Sequence, residues 1–428
     1  MLPVVRMAPE TCDDHWMRAI RSLAPDRLIL ILAFVALAAA FGQFGSTSAL
    51  GDVAKTFGTS TVTSSSSFTA QAGLSGSTLA IGLAVLRFAS LGVLPLASLA
   101  DRVGRRRVLY VCGLVGLLVT ASAALSPTYW WFVALFALAR PMLSTSTTLA
   151  SVMTAELSTA RTRVTALMVV AAGAGIGVGC SAILHGFLRG PDGFRVLFAT
   201  ALIPAAVLAV LVPKLRETRG DTTPSAHAVR LGAIPREHRG RLAIVMGVVA
   251  VIGAISGPAN GFAFVYGENI LRLHAQLVSS VVALSALTGV LGLFVGRRLA
   301  DHRGRRLAVA VGVLATAATS LYAYSGGRTA FVVGYLLGVC AAGILGPSGA
   351  ALTTEAFPTA VRASAGGWVV VAGVLGTVVG LAVFGAVADA TFATNGTVLW
   401  AAVAAFVPGL PVLLLLRRLP ETRDVALS

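Results

Sequence analysis

The amino-acid sequence predicts an all-α membrane protein of twelve transmembrane helices, arranged as two six-helix pseudo-repeats with both termini cytoplasmic. Three observations predict it: an apolar composition with few charges, apolar runs long enough to cross a bilayer, and a motif that returns 200 residues later.

Of 428 residues, 56% are hydrophobic and 12% are charged. A water-soluble chain of this size could not hide so much apolar surface, so most of its solvent is lipid. Crossing a bilayer as a helix takes about 20 apolar residues, because backbone groups in hydrocarbon must bond within their own segment. Runs of that kind stand at 28–50, 77–99, 108–126, 130–153, 164–187 and 195–213. Six more follow at 242–266, 277–297, 307–325, 329–353, 364–388 and 397–416.

The first 27 residues carry Asp13, Asp14, Arg18, Arg21 and Arg27, too polar for a cleavable signal, and are expected to be a cytoplasmic tail. With that end inside, 26 Lys and Arg fall on the cytoplasmic face and 5 (Lys55, Arg189, Arg195, Arg272 and Arg328) outside. Arg87 and Arg140 lie within helices. This asymmetry is the positive-inside rule. It accounts for the net charge of +16 better than nucleic-acid binding, for which no soluble domain is available to gather the charge.

The expected organisation is a tail over 1–27, a six-helix bundle over 28–213, a linker over 214–241, a second bundle over 242–416 and a tail over 417–428. Asp221, Pro224, Ser225 and Pro235 mark the linker among its charges. Cys12, Cys112, Cys180 and Cys340 are far apart without Cys-x-x-Cys spacing, so neither a metal nor a disulfide is expected, and no cofactor is implied. A small-molecule substrate and the lipid bilayer are the expected partners, for a monomer in the inner (plasma) membrane.

Leu99-Ala100-Asp101-Arg102-Val103-Gly104-Arg105-Arg106 reappears as Leu299-Ala300-Asp301-His302-Arg303-Gly304-Arg305-Arg306. Glu156 with Arg163 and Glu355 with Arg362 share one spacing at an offset of 199. Glu217-Thr218-Arg219 and Glu421-Thr422-Arg423 form a weaker third pair. Parallel repeats of six spans with a midplane site between them are one established transporter architecture.

The Leu-Ala-Asp-Arg-x-Gly-Arg-Arg turn, its second copy, and Thr354 to Arg362 (TEAFPTAVR) resemble signatures of the major facilitator superfamily (MFS). The resemblance spans essentially the whole chain, and Leu419-Pro420-Glu421-Thr422-Arg423 is most similar to the sugar-porter and metabolite:proton symporter branches. It implies a secondary active transporter with ion-gradient coupling and rocker-switch alternating access. Departures exist: the glycine four residues before the motif aspartate is Ala97 in one copy and Arg297 in the other, which predicts looser helix packing there. The fifth span runs Gly173-Ala174-Gly175-Ile176-Gly177-Val178-Gly179 without the proline of antiporter relatives, which tilts the reading toward import. Proton-driven drug or metabolite efflux is the alternative, and a transporter-like sensor ranks below both because neither tail nor linker is long enough for an output domain.

A carboxylate near a helix N-terminus gains about 0.3 to 1 kcal/mol when exposed, and Asp101 and Asp301 occupy such turns. The resemblance places the start of the eleventh span beside Asp101. Arg105 and Arg305 are expected to pair with Glu156 and Glu355, with Arg163 and Arg362 at adjoining helix ends, forming a cytoplasmic gate. Positive-inside bias alone would explain the arginines but not duplicated acids at matched spacing.

Arg87 and Arg140 lie near the middle of their spans, where an unpartnered guanidinium costs several kcal/mol. Arg140 also matches the fourth-span arginine of the family's second motif, although Ser144 replaces the following glycine. With no carboxylate deep in any span, the two favour an anionic substrate such as an organic carboxylate. The competing reading has each arginine holding helices together through backbone carbonyls and the hydroxyls of Ser144, Thr145, Ser146 and Thr147. Gln43, Asn260 and Tyr266 complete the expected substrate set, Gly257-Pro258 and Gly261 being expected to bend the seventh span and free carbonyls for solute. Tyr266 fits a membrane-surface anchor better than a ligand. Asp52, Glu268 and His185 are candidates for proton coupling, each near the outer surface. Glycine runs such as 173–179 and Gly366-Gly367 permit close helix contact.

A membrane enzyme would need a nucleophile with its base, a metal cluster or a phosphate loop, and 6 scattered histidines with no Gly-x-x-x-x-Gly-Lys offer none. Asn395-Gly396-Thr397 fits a glycosylation sequon, which is without meaning for a chain whose arginine-rich usage is that of a GC-rich bacterial genome.

Overall fold

The computed structural model describes residues 27–58, 67–159, 162–188, 192–217, 235–355, 357 and 359–419. The expected tails over 1–26 and 420–428, with Glu421 to Arg423, and the middle of the expected linker lie outside the described residues. Among the described residues, eleven helices are long and apolar enough to cross a membrane. These are α1 (Arg27–Ser48), α2 (Gly76–Val103), α3 (Arg105–Leu125), α4 (Tyr129–Leu157), α5 (Arg163–Phe187), α6 (Gly193–Lys214), α7 (Arg236–Gly261), α8 (Ala275–Arg303), α9 (Arg305–Ala323), α10 (Arg328–Glu355) and α11 (Thr359–Asn395). The twelfth expected run divides into α12 (Leu399–Phe406) and a 3-10 segment over Leu410–Arg418, interrupted near Pro408.

Several boundaries differ from the hydropathy reading. Helix α7 begins at Arg236, inside the expected linker, because a helix whose first turn faces water tolerates Glu237, His238 and Arg239. Helix α11 runs 37 residues, well beyond the expected 364–388. Short helices over Leu50–Phe57 and Phe68–Ala72 and a π-helical turn over Val265–Ile270 extend the bundle beyond the apolar spans.

Local chemistry sets the ends. Ser75 and Thr128 cap α2 and α4 by accepting the N–H groups of Thr78 and Trp131. Both copies of the repeated motif turn at a glycine with positive φ, 117° at Gly104 and 99° at Gly304, a conformation that favours glycine over residues with a Cβ. Successive spans reverse direction, so Arg102 to Arg107, Arg216, Arg236 to Arg241 and Arg297 to Arg306 gather at one end of the bundle, called here the basic end.

The packing repeats as the motifs do. Gly173 and Gly177 of α5 lie on the backbone of α1, where a Cβ would collide with the carbonyls of Ala33 and Leu37. Gly376 and Gly380 of α11 lie in the same way on Ala250 and Ala254 of α7. Small residues let two helices exchange van der Waals contact at backbone distance, the main source of attraction where lipid is as apolar as leucine. Gly175, Gly179 and Gly366 face open space, so in the first glycine run the packing role falls on one alternation, and in the C-terminal helices Gly376 and Gly380 share it with Gly253, Gly292, Gly296 and Gly343. Contacts between α1–α6 and α7–α12 are made mainly by α2 with α11 and by α5 with α8.

Candidate functional site

Arg87 and Arg140 each stand eleven residues after the start of their helix, at Gly76 and Tyr129, and so at equal depth from the end opposite the basic one. The Arg140 guanidinium donates to the Gln43 carbonyl at 3.3 Å, and its Nε is buried without a partner. Gln43 in turn accepts from the Ser144 hydroxyl at 3.1 Å and donates to Thr147 at 3.3 Å. Thr145, Ser146 and Thr147 turn their hydroxyls onto their own helix, on the carbonyls of Pro141, Met142 and Leu143. The arginine thus gains one backbone bond and none of those hydroxyls. Arg87 makes no hydrogen bond through its guanidinium among the described residues.

The other two expected substrate residues sit elsewhere. Asn260 donates to the Ser256 carbonyl at 2.9 Å and accepts from the Tyr335 hydroxyl at 3.3 Å. It borders a cavity of about 120 Å³ enclosed by α7, α9 and α10, with Ser256, Thr316, Ser320 and Tyr324. Tyr266 is 3% exposed and stacks within a ring cluster, 4.7 Å from Tyr324 and 6.0 Å from Phe331. That burial corrects the expectation of a surface anchor. Pro258 lies inside a continuous α7, and the Pro258 and Ala259 carbonyls are taken by the Tyr324 hydroxyl at 3.2 and 2.9 Å rather than left for solute.

At the basic end Arg105 pairs with Asp101 at 3.1 Å and with Glu156. Glu217 accepts the N–H groups of Arg105 and Arg106 at 2.9 and 3.3 Å, capping α3, and Arg106 donates to the Leu215 carbonyl at 3.0 Å. Arg163 turns back to the Ala155 carbonyl at 3.1 Å. These ties among the described residues lie within residues 101–217, so the expected pairing of Arg105 with Glu156 holds and the described part of the network joins one set of helices. In the second copy Arg305 approaches Asp301 at 3.5 Å and the Ala300 carbonyl at 3.1 Å, Arg297 lies 3.7 Å from Asp301, and Arg306 donates to Leu419. The side chains of Glu355 and Arg362 lie outside the described set.

The opposite end is where the two sets of helices are tied. Gly76 and Ser77 donate their N–H groups to the Asp389 carboxylate at 2.6 and 2.8 Å, and the Ser77 hydroxyl adds a third bond at 2.6 Å. Asn269 donates to the Gly51 and Ala72 carbonyls at 3.1 and 3.0 Å. His185, 1% exposed, holds Glu268 through Nε2 at 3.0 Å while Nδ1 faces Asp52 at 3.6 Å. The three residues proposed for proton coupling from scattered positions therefore form one cluster across α5, the 50–57 helix and the π-helical turn, with His185 buried and Asp52 part-exposed. Burial pushes the Asp52 carboxyl above its ordinary range, an effect that Glu268 adds to and His185 and Lys55 oppose. Sequence reasoning missed Asp389 and Asn269 as ties. Each stands near the end of an apolar run, and nothing local points to partners 312 or 218 residues away.

Long apolar helices packed through glycines, with charge kept to the bundle ends and two interior arginines, define a multi-pass membrane protein of the transporter class. The chain belongs to the Major Facilitator Superfamily, whose model matches residues 32–266 and 259–427. It is 25% identical over 342 residues to the cis,cis-muconate transport protein of Acinetobacter baylyi, covering 75% of this chain and 79% of that one. Its fold matches the E. coli xylose transporter in an inward-open conformation with a TM-score of 0.67 at 17% identity, over 93% of this chain and 97% of that one. A D-xylose–proton symporter matches with a TM-score of 0.69 at 20% identity, over 93% and 99%.

Proposed function

We propose that this chain is a secondary active transporter that carries an organic anion across the cytoplasmic membrane by alternating access. The observation that carries the reading is the pair of interior guanidiniums, one without a protein hydrogen bond and the other with a single backbone bond and an unpartnered Nε. A part-buried cation left with unused donors inside the bundle is a site for an anion, since each charge-assisted bond gained there contributes about 1.5–3 kcal/mol. The likeness to a muconate carrier, whose named substrate is a dicarboxylate, supports the same substrate class.

In this reading twelve spans form two halves, over 28–213 and 242–416, joined by a cytoplasmic linker over 214–241, and the basic end is cytoplasmic, as the positive-inside rule favours. The halves are then tied at the outer end by Asp389, Asn269 and the His185 cluster, while the charge ties of Asp101, Arg105, Glu156 and Glu217 stay within one half. That is the arrangement of an inward-facing state. Asp101, Arg105, Glu156 and Arg163, with Asp301, Arg305, Glu355 and Arg362, belong in this reading to the inner end whose rearrangement closes it. Gln43 orients Arg140.

Counterflow in proteoliposomes tests the substrate class, with labelled cis,cis-muconate set against a neutral sugar and a cationic drug. Muconate exchange that falls at least about tenfold in Arg140→Ala, at equal protein abundance, is the expected outcome. Movement of the sugar or the drug with no exchange or competition by organic acids would overturn it.

A further inference from the structure

We propose that the His185, Asp52 and Glu268 cluster is a proton-binding site that loads as the outer end closes, so that closure is coupled to external acidity. The inference rests on the alternating-access reading and adds to it a ligand, the proton, and a place where it binds.

The geometry of one imidazole between two carboxylates carries the argument. At 3.0 Å from a Glu268 oxygen, Nε2 of His185 must bear the hydrogen of that bond, since a carboxylate only accepts. In a neutral imidazole the other nitrogen then presents a lone pair. That nitrogen, Nδ1, is buried, has no hydrogen-bond partner, and points at Asp52 Oδ2 from 3.6 Å. Two acceptors facing each other at a part-buried site repel. A single proton, on Nδ1 or on Asp52, turns the opposition into a hydrogen bond.

The surroundings leave that proton as the available remedy. The segment carrying Asp52 offers one other charge, Lys55, and the π-helical turn offers Glu268. Helix α8 meets α5 at Gly186 with Gln276 and Ser279, both neutral, and α1 meets it with Ser48, 3.4 Å from Ser181. The Phe264 ring stands edge-on to the imidazole at 5.3 Å and excludes water from that face. At the start of α6, Asp192 and Arg195 pair with each other at 2.9 Å. An acceptor beside Glu268, Asn269 Oδ1, is also buried without a partner, so the site holds more acceptors than donors.

Loading depends on closure because the cluster is divided between the two halves. His185 and Asp52 belong to the N-terminal helices and Glu268 to the turn after α7. Closing brings Glu268 onto an imidazole already facing Asp52, removes His185 and Glu268 from water and leaves Asp52 part-buried. With neutral His185 the closed site would hold two negative charges; one bound proton leaves one, and a second leaves none. Closure is therefore favoured in acid and opposed in alkali, by up to about tenfold in the closed-to-open ratio per pH unit for each proton taken up.

The test uses the full-length transporter in lipid nanodiscs, with native cysteines replaced and spin labels at Pro127→Cys and Ser325→Cys, two exposed outer-end positions on opposite halves. The short-distance, closed population is expected to fall as pH rises from 5 to 8. Asp52→Asn, whose amide can donate to Nδ1, should flatten that dependence and keep the outer end closed to higher pH. Glu268→Gln, which removes one of the two negative charges, should weaken it. A pH dependence unchanged in Asp52→Asn, with the variant still showing muconate exchange, would overturn the proposal. Distances that respond to added cis,cis-muconate but not to pH would overturn it while leaving alternating access intact. Distances that respond to neither would overturn both.

Discussion

One oxygen of the Asp389 carboxylate accepts both the backbone N–H and the hydroxyl of Ser77, at 2.8 and 2.6 Å, and so fastens the end of α11 to the first turn of α2. The other oxygen takes the Gly76 N–H at 2.6 Å. The first N–H groups of any helix lack intrahelical partners and carry partial positive charge, so a carboxylate from a second helix satisfies both needs at once. Asp389→Asn keeps the shape and loses the charge and one acceptor. Up to about 2 kcal/mol of closure energy is at stake. The expected outcome is a more open outer end and slower exchange at normal abundance, read by faster alkylation of a cysteine placed at Ser77.

One turn earlier, Gly385 lies against the backbone of Gly76, and a Cβ on either residue would overlap the other helix. A backbone contact cannot yield as a flexible side chain does. Gly385→Val is therefore expected to act as a wedge that holds the outer end open, abolishing exchange while substrate still binds from outside. Loss of cis,cis-muconate binding together with exchange would point to misfolding and refute the wedge.

Within α7 the Tyr324 hydroxyl serves the carbonyls at Pro258 and Ala259, immediately after Gly257. Tyr324→Phe leaves them buried without that donor, a loss of about 1–3 kcal/mol. A lower melting temperature with unchanged affinity for substrate is expected, because the ring cluster with Tyr266 and Phe384 stays filled. A fall in affinity at unchanged melting temperature would instead place Tyr324 at the substrate.

The sequence exposed what is periodic or duplicated and hid what is paired at long range. Eleven of the long apolar runs became, among the described residues, helices long and apolar enough to cross a membrane, because length and hydropathy are local properties. Gly104 and Gly304 were legible as turns because both copies place glycine before a run of arginines. The pairing of Arg105 with Glu156 was legible through matched spacing. The placement of its described ties in one set of helices was not, since a motif names a charge and not the helix it meets. Tyr266 was misjudged for a related reason. The turn after α7 is π-helical, which rotates the ring inward onto Tyr324, and no hydropathy pattern records that rotation.

At the basic end the same logic separates a cap from a switch. Glu217 holds the N–H groups of Arg105 and Arg106 and is bound to a turn, so Glu217→Ala is expected to lower thermal stability by about 0.5–2 kcal/mol. Among the described residues Asp101 pairs with the Arg105 guanidinium alone, which Glu156 also holds. Asp101→Asn is therefore expected to lower transport while abundance and melting temperature stay near wild type, by shifting the balance between inward-facing and outward-facing states. Unchanged exchange kinetics would remove Asp101 from the gate.

The pH dependence of stability gives a last handle on the outer cluster. Burial holds the Asp52 carboxyl above its ordinary value, so the folded protein binds that proton more tightly than the unfolded chain. The sign follows from linkage: the stabilisation is complete below the ordinary carboxylate pKa of about 4 and is lost as pH rises through the raised value. Asparagine at this position imitates the protonated carboxyl and cannot lose it. Asp52→Asn is thus expected to match wild type near pH 4 and to melt at a higher temperature than wild type at pH 7. Two melting curves that run parallel between those limits would show that Asp52 ionises in the folded protein as it does in water.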